Sequence, residues 1–300
     1  MQRALRRTGI AGFEATTMAA FLVALHGVGA SRTVFDVGAN VGLYASTAKK
    51  LFPDAQVTAF EPTPKTAEIC AAIARRNRLD VRVERCALGS TVGHGTLFLS
   101  GTSDSSNSLV EGFKEAVGTV EVAVSTVDAF VAETGIVPNV IKVDAEGYEA
   151  EILRGAQHTL QRHRPILILE VLFRRGTDHG PEIAVALDGL DYSGFRIGAT
   201  TDWSSPSSIA GDPTGLDRDW LLSPTPLDEA FARRFDRRLA EVELCTADRN
   251  RRAPRLEDDD GNSQPPDELR RSVAARAERA LVGLRSLAGR GRAAVESRRP

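Results

Sequence analysis

Residues 33–42 read TVFDVGANVG, and the fold follows from how that stretch is built. A short apolar run from Thr33 to Phe35 ends in Asp36, and two glycines, Gly38 and Gly42, then open a segment with helical spacing. That is the pattern of a strand, a tight turn and a helix N-terminus. Glycine at Gly38 lets the backbone approach a ligand closely, the Asp36 carboxylate can take a ligand cation, and helix N-terminal amides can take an anion. About twenty residues on, the run 56–60 ends in Glu61, where a doubly wound sheet places the acid that accepts hydrogen bonds from both ribose hydroxyls of a nucleoside. The bland alternative for the first stretch is a β-turn with a satisfied aspartate.

The glycine spacing says which nucleoside. A nicotinamide fingerprint reads G-x-G-x-x-G, whereas here the order is D-x-G-x-x-x-G over Asp36, Gly38 and Gly42. S-adenosylmethionine carries an ammonium, a carboxylate and a ribose but no pyrophosphate, an inventory that suits Asp36 and Glu61 better than a dinucleotide does.

Outward from this stretch, strand and helix patterns alternate to about residue 200, which argues for a parallel sheet with helices on both faces. Strands are expected at 33–37, 56–60, 81–85, 140–143 and 166–171, and helices at 43–52, 65–77, 126–134, 148–160 and 182–187. Residues 95–124 break the rhythm with β-like TLFLS and TVEVAV around a polar loop at 103–108, an inserted hairpin beside the active edge. Runs at 195–199 and 219–222 complete the sheet, the second after a Pro/Gly/Ser-rich loop at 200–218. Both polar loops are expected to line the acceptor side of the crevice.

The 300 residues are 42% apolar, ordinary for a globular chain with a sizeable core. The net charge of −2 gives no footprint for nucleic acid, but it is unevenly placed: residues 248–300 carry 13 arginines against 9 acids. The stretch 249–268 has almost no apolar residues and reads as disordered, and apolar positions at helical spacing across 267–288 make a possible amphipathic helix able to meet a partner or a membrane surface. The division expected is an N-terminal helical extension 1–32, a catalytic domain 33–245 and an Arg-rich tail 246–300. Met18 to Leu25 is too short to span a bilayer and reads as a surface helix beside the sheet. Three scattered cysteines, Cys70, Cys86 and Cys245, have no metal-ligand spacing and point to a reducing cytoplasm.

A third acidic cluster, KVDAEG over residues 142–147, ends the fourth core strand, and Glu170 ends the next. Ligands of an open α/β sheet sit outside the carboxyl ends of its strands, so Asp36, Glu61, Asp144 and Glu170 are all expected to face one crevice. Unpaired buried acids are costly, which disfavours four of them as filler. For Glu146, just before a helix, a capping role is an equal alternative.

The set DVGANVG at 36–42, AFEP at 59–62, IKVDAEGYEAEILRGA at 141–156 and RPILILE at 164–170 resembles the FkbM family of S-adenosylmethionine-dependent methyltransferases. The resemblance runs from residue 33 to about 223 and implies a Rossmann-like class I methyltransferase sheet. Family members with assigned roles methylate hydroxyls of sugars, glycolipids and polyketide-type molecules. By resemblance, Asp36, Gly38 and Asn40 surround the methionine part within the turn that Gly42 closes. Glu61 and Pro62 hold the ribose, Cys86, Ala87 and Leu88 border the adenine, and Asp144 reaches the ligand from the facing strand. Lys142, Asp144 and Glu146 match the family's K-x-D-x-E-G motif.

Methyl transfer to an alcohol needs in-line positioning and a group that takes charge as the bond forms. Asp144, Glu170 and Glu146 are the candidate catalytic residues, with the loop residue His179 a weaker one. Asp144 and Glu170 together are also a candidate pair for Mg2+; no His or Cys set favours zinc. No N-P-P-Y-type motif follows the fourth strand, which argues against nucleobase amines as acceptors. Two other readings stay open: N-methylation of a protein or RNA, and a non-catalytic nucleoside-binding scaffold.

Overall fold

The structure is a computed structural model that describes residues 9–101 and 107–245. The tail 246–300 with its possible helix at 267–288, and most of the polar loop 103–108, lie outside the described residues.

Seven strands form the main sheet. β1 (Thr33–Val37), β2 (Gln56–Phe60) and β3 (Arg82–Glu84) run outward in one direction. The chain then returns to the other side of β1 as β7 (Val140–Val143), β8 (Ile166–Glu170), β12 (Asp219–Ser223) and β11 (Ser193–Arg196), all parallel except β12, which is antiparallel to both its neighbours. Between β3 and β7 the short β4 (Ala87–Leu88) joins the hairpin β5 (Gly93–Ser100) and β6 (Ala116–Ser125) in a second sheet, the expected insertion. A small hairpin, β9 (Phe173–Arg174) and β10 (Thr177–Asp178), follows β8. This is the class I methyltransferase sheet that the resemblance implies, with its topological switch between β1 and β7.

Period-two alternation feeds two cores. Val34, Val57, Val140, Ile168 and Leu221 point to one face of the sheet, and Phe35, Phe60, Ile141, Leu167 and Leu222 to the other. The helices α1 (Ala15–Gly27), α2 (Leu43–Leu51) and α8 (Glu229–Glu243) contribute to the first core. The second is covered by α4 (Val127–Thr134), α5 (Glu149–Arg154), α6 (Gln157–His163) and α7 (Gly180–Ala186). α3 (Pro64–Arg76) packs beside β3 at the sheet edge.

Two expectations need correction. The helix at Met18 to Leu25 is not a surface helix: every residue from Thr17 to Leu25 is buried, because α8 lies along α1 and covers the side away from the sheet. The N-terminal extension 1–32 is therefore part of the core from α1 on. A helix without a polar face has to be enclosed, and this one is. The single helix expected at 148–160 is two, because Asp128 of α4 accepts from the His158 and Thr159 amides at 2.9 and 2.8 Å and so caps a fresh start at α6. α8 was not foreseen at all. Its apolar stripe, Phe231, Phe235, Leu239 and Val242, is set among arginines and acids, and the Asp228 side chain caps it at 2.7 Å.

Candidate functional site

The turn after β1 is held by its own backbone. The amides of Gly38 and Ala39 both donate to the Phe60 carbonyl, each at 3.0 Å, which ties the turn to the end of β2. Gly38 sits at φ +73°, and a Cβ there would overlap the Asp144 carbonyl oxygen. The glycine is thus required by the neighbouring strand end. Asn40 is left-handed at φ +51°, its side chain accepting from the Val41 amide at 2.8 Å.

Glu61 spans this turn and the one after β2. It accepts from the Asn40 amide with Oε2 and from the Thr63 amide with Oε1, both at 2.9 Å, and is 5% exposed. Burial pushes its carboxyl up, against the pull of the Thr63 and Asn40 donors. The Thr63 hydroxyl also donates to it, and acceptor capacity remains on the carboxylate beyond these three donors.

A cleft opens outside the ends of β1, β2 and β7. Gly38, Asn40, Glu61, Pro62 and Thr63 form one wall, and Asp144, Ala145, Glu146 and Tyr148 the opposite one. Cys86, Ala87, Leu88, Leu97 and Ile152 give it an apolar end. Burial raises the Cys86 thiol to about 11, with Glu84 adding to the shift, so it is a contact surface rather than a nucleophile. An apolar slot next to a carboxylate with free acceptor capacity fits a nucleoside.

Of the expected cofactor residues, Asp36 and Gly42 lie elsewhere. Asp36 is 1% exposed and faces the start of α2, where Oδ2 accepts from the Ala45 amide at 2.9 Å and Oδ1 is buried without a partner. It shapes the helix start and is not part of the cleft lining. Gly42 closes the turn at φ +78° against Cys70.

The wall after β7 is stitched by a residue the sequence reading passed over. Glu149 accepts from the Ala145 and Gly147 amides at 2.9 and 3.2 Å, and burial pushes its carboxyl up to about 7. Glu146 lines the cleft with φ +52° and pairs with Lys114 at 3.4 Å; the Ser108 hydroxyl donates to its carbonyl at 2.8 Å. Glu149, not Glu146, ties down the turn ahead of α5, whose N-cap residue Tyr148 makes no side-chain capping bond.

Behind Asp144 lies a charged layer on the face that carries α1 and α2. Strand register sets Asp36 beside Lys142, and Glu170 beside Asp219. Lys142 donates to Asp144 Oδ2 at 3.0 Å and rests its ammonium over the Tyr44 ring, 4.6 Å from the centroid. Burial works against the Lys142 charge, but Asp144, Asp36 and Glu14 outweigh it and hold the ammonium protonated. Tyr44 donates to Glu14 at 2.9 Å, and the Thr17 hydroxyl donates to Asp219 at 2.6 Å. Glu170 pairs through Oε1 with Arg218 at 2.9 Å while Oε2 is buried without a partner. Burial, then Asp144 and Glu149, push the Glu170 carboxyl well up, with Arg218 opposing. Glu14, Tyr44, Arg218 and Asp219 were not singled out from sequence.

Asp144 and Glu170 do end neighbouring strands, but each already holds a cation of the protein, Lys142 and Arg218. Among the described residues no three His, Cys, Asp or Glu side chains group to hold a metal. His179 stands ahead of α7 and is not part of the cleft wall. The loop 200–218 is anchored rather than open: Trp203 packs on Phe195, Phe231 and Phe235, and the Ala210 carbonyl accepts from Arg196 and Trp220. Only its last residue, Arg218, reaches the charged layer. Among the described residues no helix is long and apolar enough to cross a membrane.

Sequence comparison matches residues 36–197 to the Methyltransferase FkbM domain. The chain is 24% identical over 194 residues to Methyltransferase 1 of Beauveria bassiana, covering 58% of this chain and 76% of that one. It is 28% identical to the 31-O-demethyl-FK506 methyltransferase FkbM of Streptomyces tacrolimicus, over 41% of this chain and 59% of that one. With the hexuronic acid methyltransferase AglP of Haloferax volcanii it shares 32% over 130 residues, 43% of this chain and 51% of that one. The chain thus spans little more than half the length of these last two. Among solved structures, the FkbM methyltransferase of Methylobacillus flagellatus superposes with a TM-score of 0.43 at 19% identity, over 64% of this chain and 44% of that one.

Proposed function

The chain belongs to the FkbM methyltransferase family, and from that premise we propose that it transfers the methyl group of S-adenosylmethionine to a hydroxyl of a sugar, glycolipid or polyketide-type small molecule. The observation that carries this reading is the placement of Glu61 and Asp144 on opposite walls of one cleft at the topological switch, beside an apolar slot. The names of the FK506 and hexuronic acid relatives support a hydroxyl-bearing acceptor.

When bound, S-adenosylmethionine supplies a methyl group activated by a sulfonium. Glu61 accepts from the ribose hydroxyls with the acceptor capacity its protein donors leave free. Cys86, Ala87 and Leu88 flank the base, and the 38–40 turn faces the amino-acid part. Asp144 stands where an acceptor hydroxyl enters. Held from behind by Lys142, it orients that hydroxyl and takes its proton as the new bond forms. No metal is needed in this scheme.

Calorimetry with S-adenosylhomocysteine and NADH, followed by mass spectrometry of products from a panel of sugars and polyketide alcohols, tests the proposal. The expected result is S-adenosylhomocysteine binding, no dinucleotide binding, and an O-methylated product whose formation survives EDTA. Glu61→Ala should weaken S-adenosylhomocysteine binding roughly 30- to 150-fold, the loss of about 2–3 kcal/mol for a charged acceptor. Tighter binding of the dinucleotide would sink the reading. Product methylated on nitrogen would move it to the N-methyl class, and binding without turnover on any acceptor would favour a scaffold.

A further inference from the structure

Glu14 lies outside the matched span 36–197, yet its carboxylate ends a chain of contacts that reaches the cleft. It accepts from the Tyr44 hydroxyl at 2.9 Å; the Tyr44 ring lies 4.6 Å from the Lys142 ammonium; Lys142 donates at 3.0 Å to Asp144, which lines the cleft. Tyr44 is 5% exposed and its ring is fixed edge-on to Phe21 of α1, with centroids 5.2 Å apart. Without Glu14 its hydroxyl would be buried with no acceptor. The backbone adds a second sign: Glu14 sits at φ +50°, a conformation that costs energy for a residue with a side chain and persists where the surroundings impose it.

We propose that Glu14 is a positioning residue for methyl transfer, setting through Tyr44 the position and charge balance of the Lys142–Asp144 pair. The inference rests on the reading of the cleft as a methyl-transfer site. It means that the segment ahead of the matched domain completes the catalytic side of the cleft. The Glu14 carboxylate faces Tyr44 of α2, Lys142 and Asp144 of β7, Asp219 of β12 and, just before it, Arg218. Burial, then Asp144 and Asp219, push its carboxyl up to about 7, against Lys142 and the Tyr44 hydroxyl. Its charge therefore changes within the working range of the protein, and Asp144 feels the change through Lys142.

The test uses the full chain and a variant that keeps the hydrogen bond but not the charge. In Glu14→Gln the amide oxygen still accepts from Tyr44, so a purely structural role would be preserved. Carbon-13 NMR of the tyrosine Cζ resonances, with Tyr44 assigned through Tyr44→Phe, should show a Tyr44 inflection close to pH 7 that vanishes in Glu14→Gln. With an acceptor from the panel above, Glu14→Gln should lower kcat tenfold or more and remove a pH limb near 7, while the S-adenosylhomocysteine dissociation constant moves less than twofold. A flat Tyr44 resonance between pH 5 and 9, or wild-type kcat and pH profile in Glu14→Gln, overturns the proposal. Failure of the wild type to bind S-adenosylhomocysteine would sink the methyl-transfer reading instead, and the NMR titration alone would then decide whether Glu14 and Tyr44 are coupled.

Discussion

The turn at residues 38–42 and the charged layer around Lys142 flank Asp144 and are held in opposite ways. In the turn, Glu61 is satisfied by the Asn40 and Thr63 amides, and Phe60 takes the amides of Gly38 and Ala39. Its parts are near neighbours in the chain, on β1 and β2, and its polar groups need nothing from the rest of the molecule. The layer joins positions 14, 36, 44, 142, 170, 218 and 219, from seven elements and loops, and leaves Asp36 Oδ1 and Glu170 Oε2 without partners. A turn tied by backbone amides is rigid and carries one buried acid, Glu61. A layer of buried acids around one ammonium is held by charge and responds to pH.

Removing the cation is the hardest test of that contrast. Lys142→Met keeps most of the side-chain volume but leaves the buried Asp36 without its neighbouring cation, so about 3–5 kcal/mol of stability should go. The loss should be larger at pH 8 than at pH 5, where Asp36 and Glu14, whose carboxyls burial pushes up, take up protons more readily. Urea unfolding at the two pH values measures it, and a loss equal at both would mean that the layer is not held by charge. Gly38→Ala attacks the other region. Backbone strain at φ +73° and overlap with the Asp144 carbonyl should together cost about 3 kcal/mol and weaken S-adenosylhomocysteine binding at least tenfold, at any pH. A variant that melts and binds like the wild type would show that the turn yields easily.

The smallest effect concerns Glu149, which sits between the two. Its carboxyl rises from an ordinary 4.5 to about 7 through burial, so the folded chain keeps a proton that the unfolded chain releases between those values. Stability from this group is full below about pH 4.5 and falls away as pH rises through 7, by about 2 kcal/mol between pH 5 and 7 and about 3 kcal/mol in all. Glu149→Gln, whose amide oxygen can still accept from Ala145 and Gly147, should remove that part of the decline between pH 5 and 8. An unchanged slope in denaturant midpoints would place the titration on another acid.

What could be read from sequence divides along the same line. The strands at 33–37, 56–60 and 140–143 were legible to the residue because alternation and turn chemistry are local. Glu61 was placed at the cleft from the same local pattern, whereas residues 86–88, which also line it, came from the family resemblance. The partner of Asp36 could not be read, because its carboxylate finds the α2 amide of Ala45, nine residues on, which a motif does not display. Glu14, Arg218 and Asp219 were missed because only strand register and the packing of α1 bring them to Lys142. α1 itself carried a usable signal, an apolar run with no polar face, and α8 carried another in the spacing of 231, 235, 239 and 242.

The pairing of α1 with α8 also governs the order of events during synthesis. α1 leaves the ribosome first, but the helix that covers it begins at Glu229, roughly 200 residues later. At about 5–20 residues per second, that interval is on the order of 10–40 s. For that time an oily nascent helix lacks its final cover, and the N-terminal residues that flank the cleft cannot settle until the end of the sheet has been made. The Lys142 side of the cleft is among the last parts to mature, and a chaperone that shields α1 as it emerges should raise the yield of folded chain more than one that acts on the finished polypeptide.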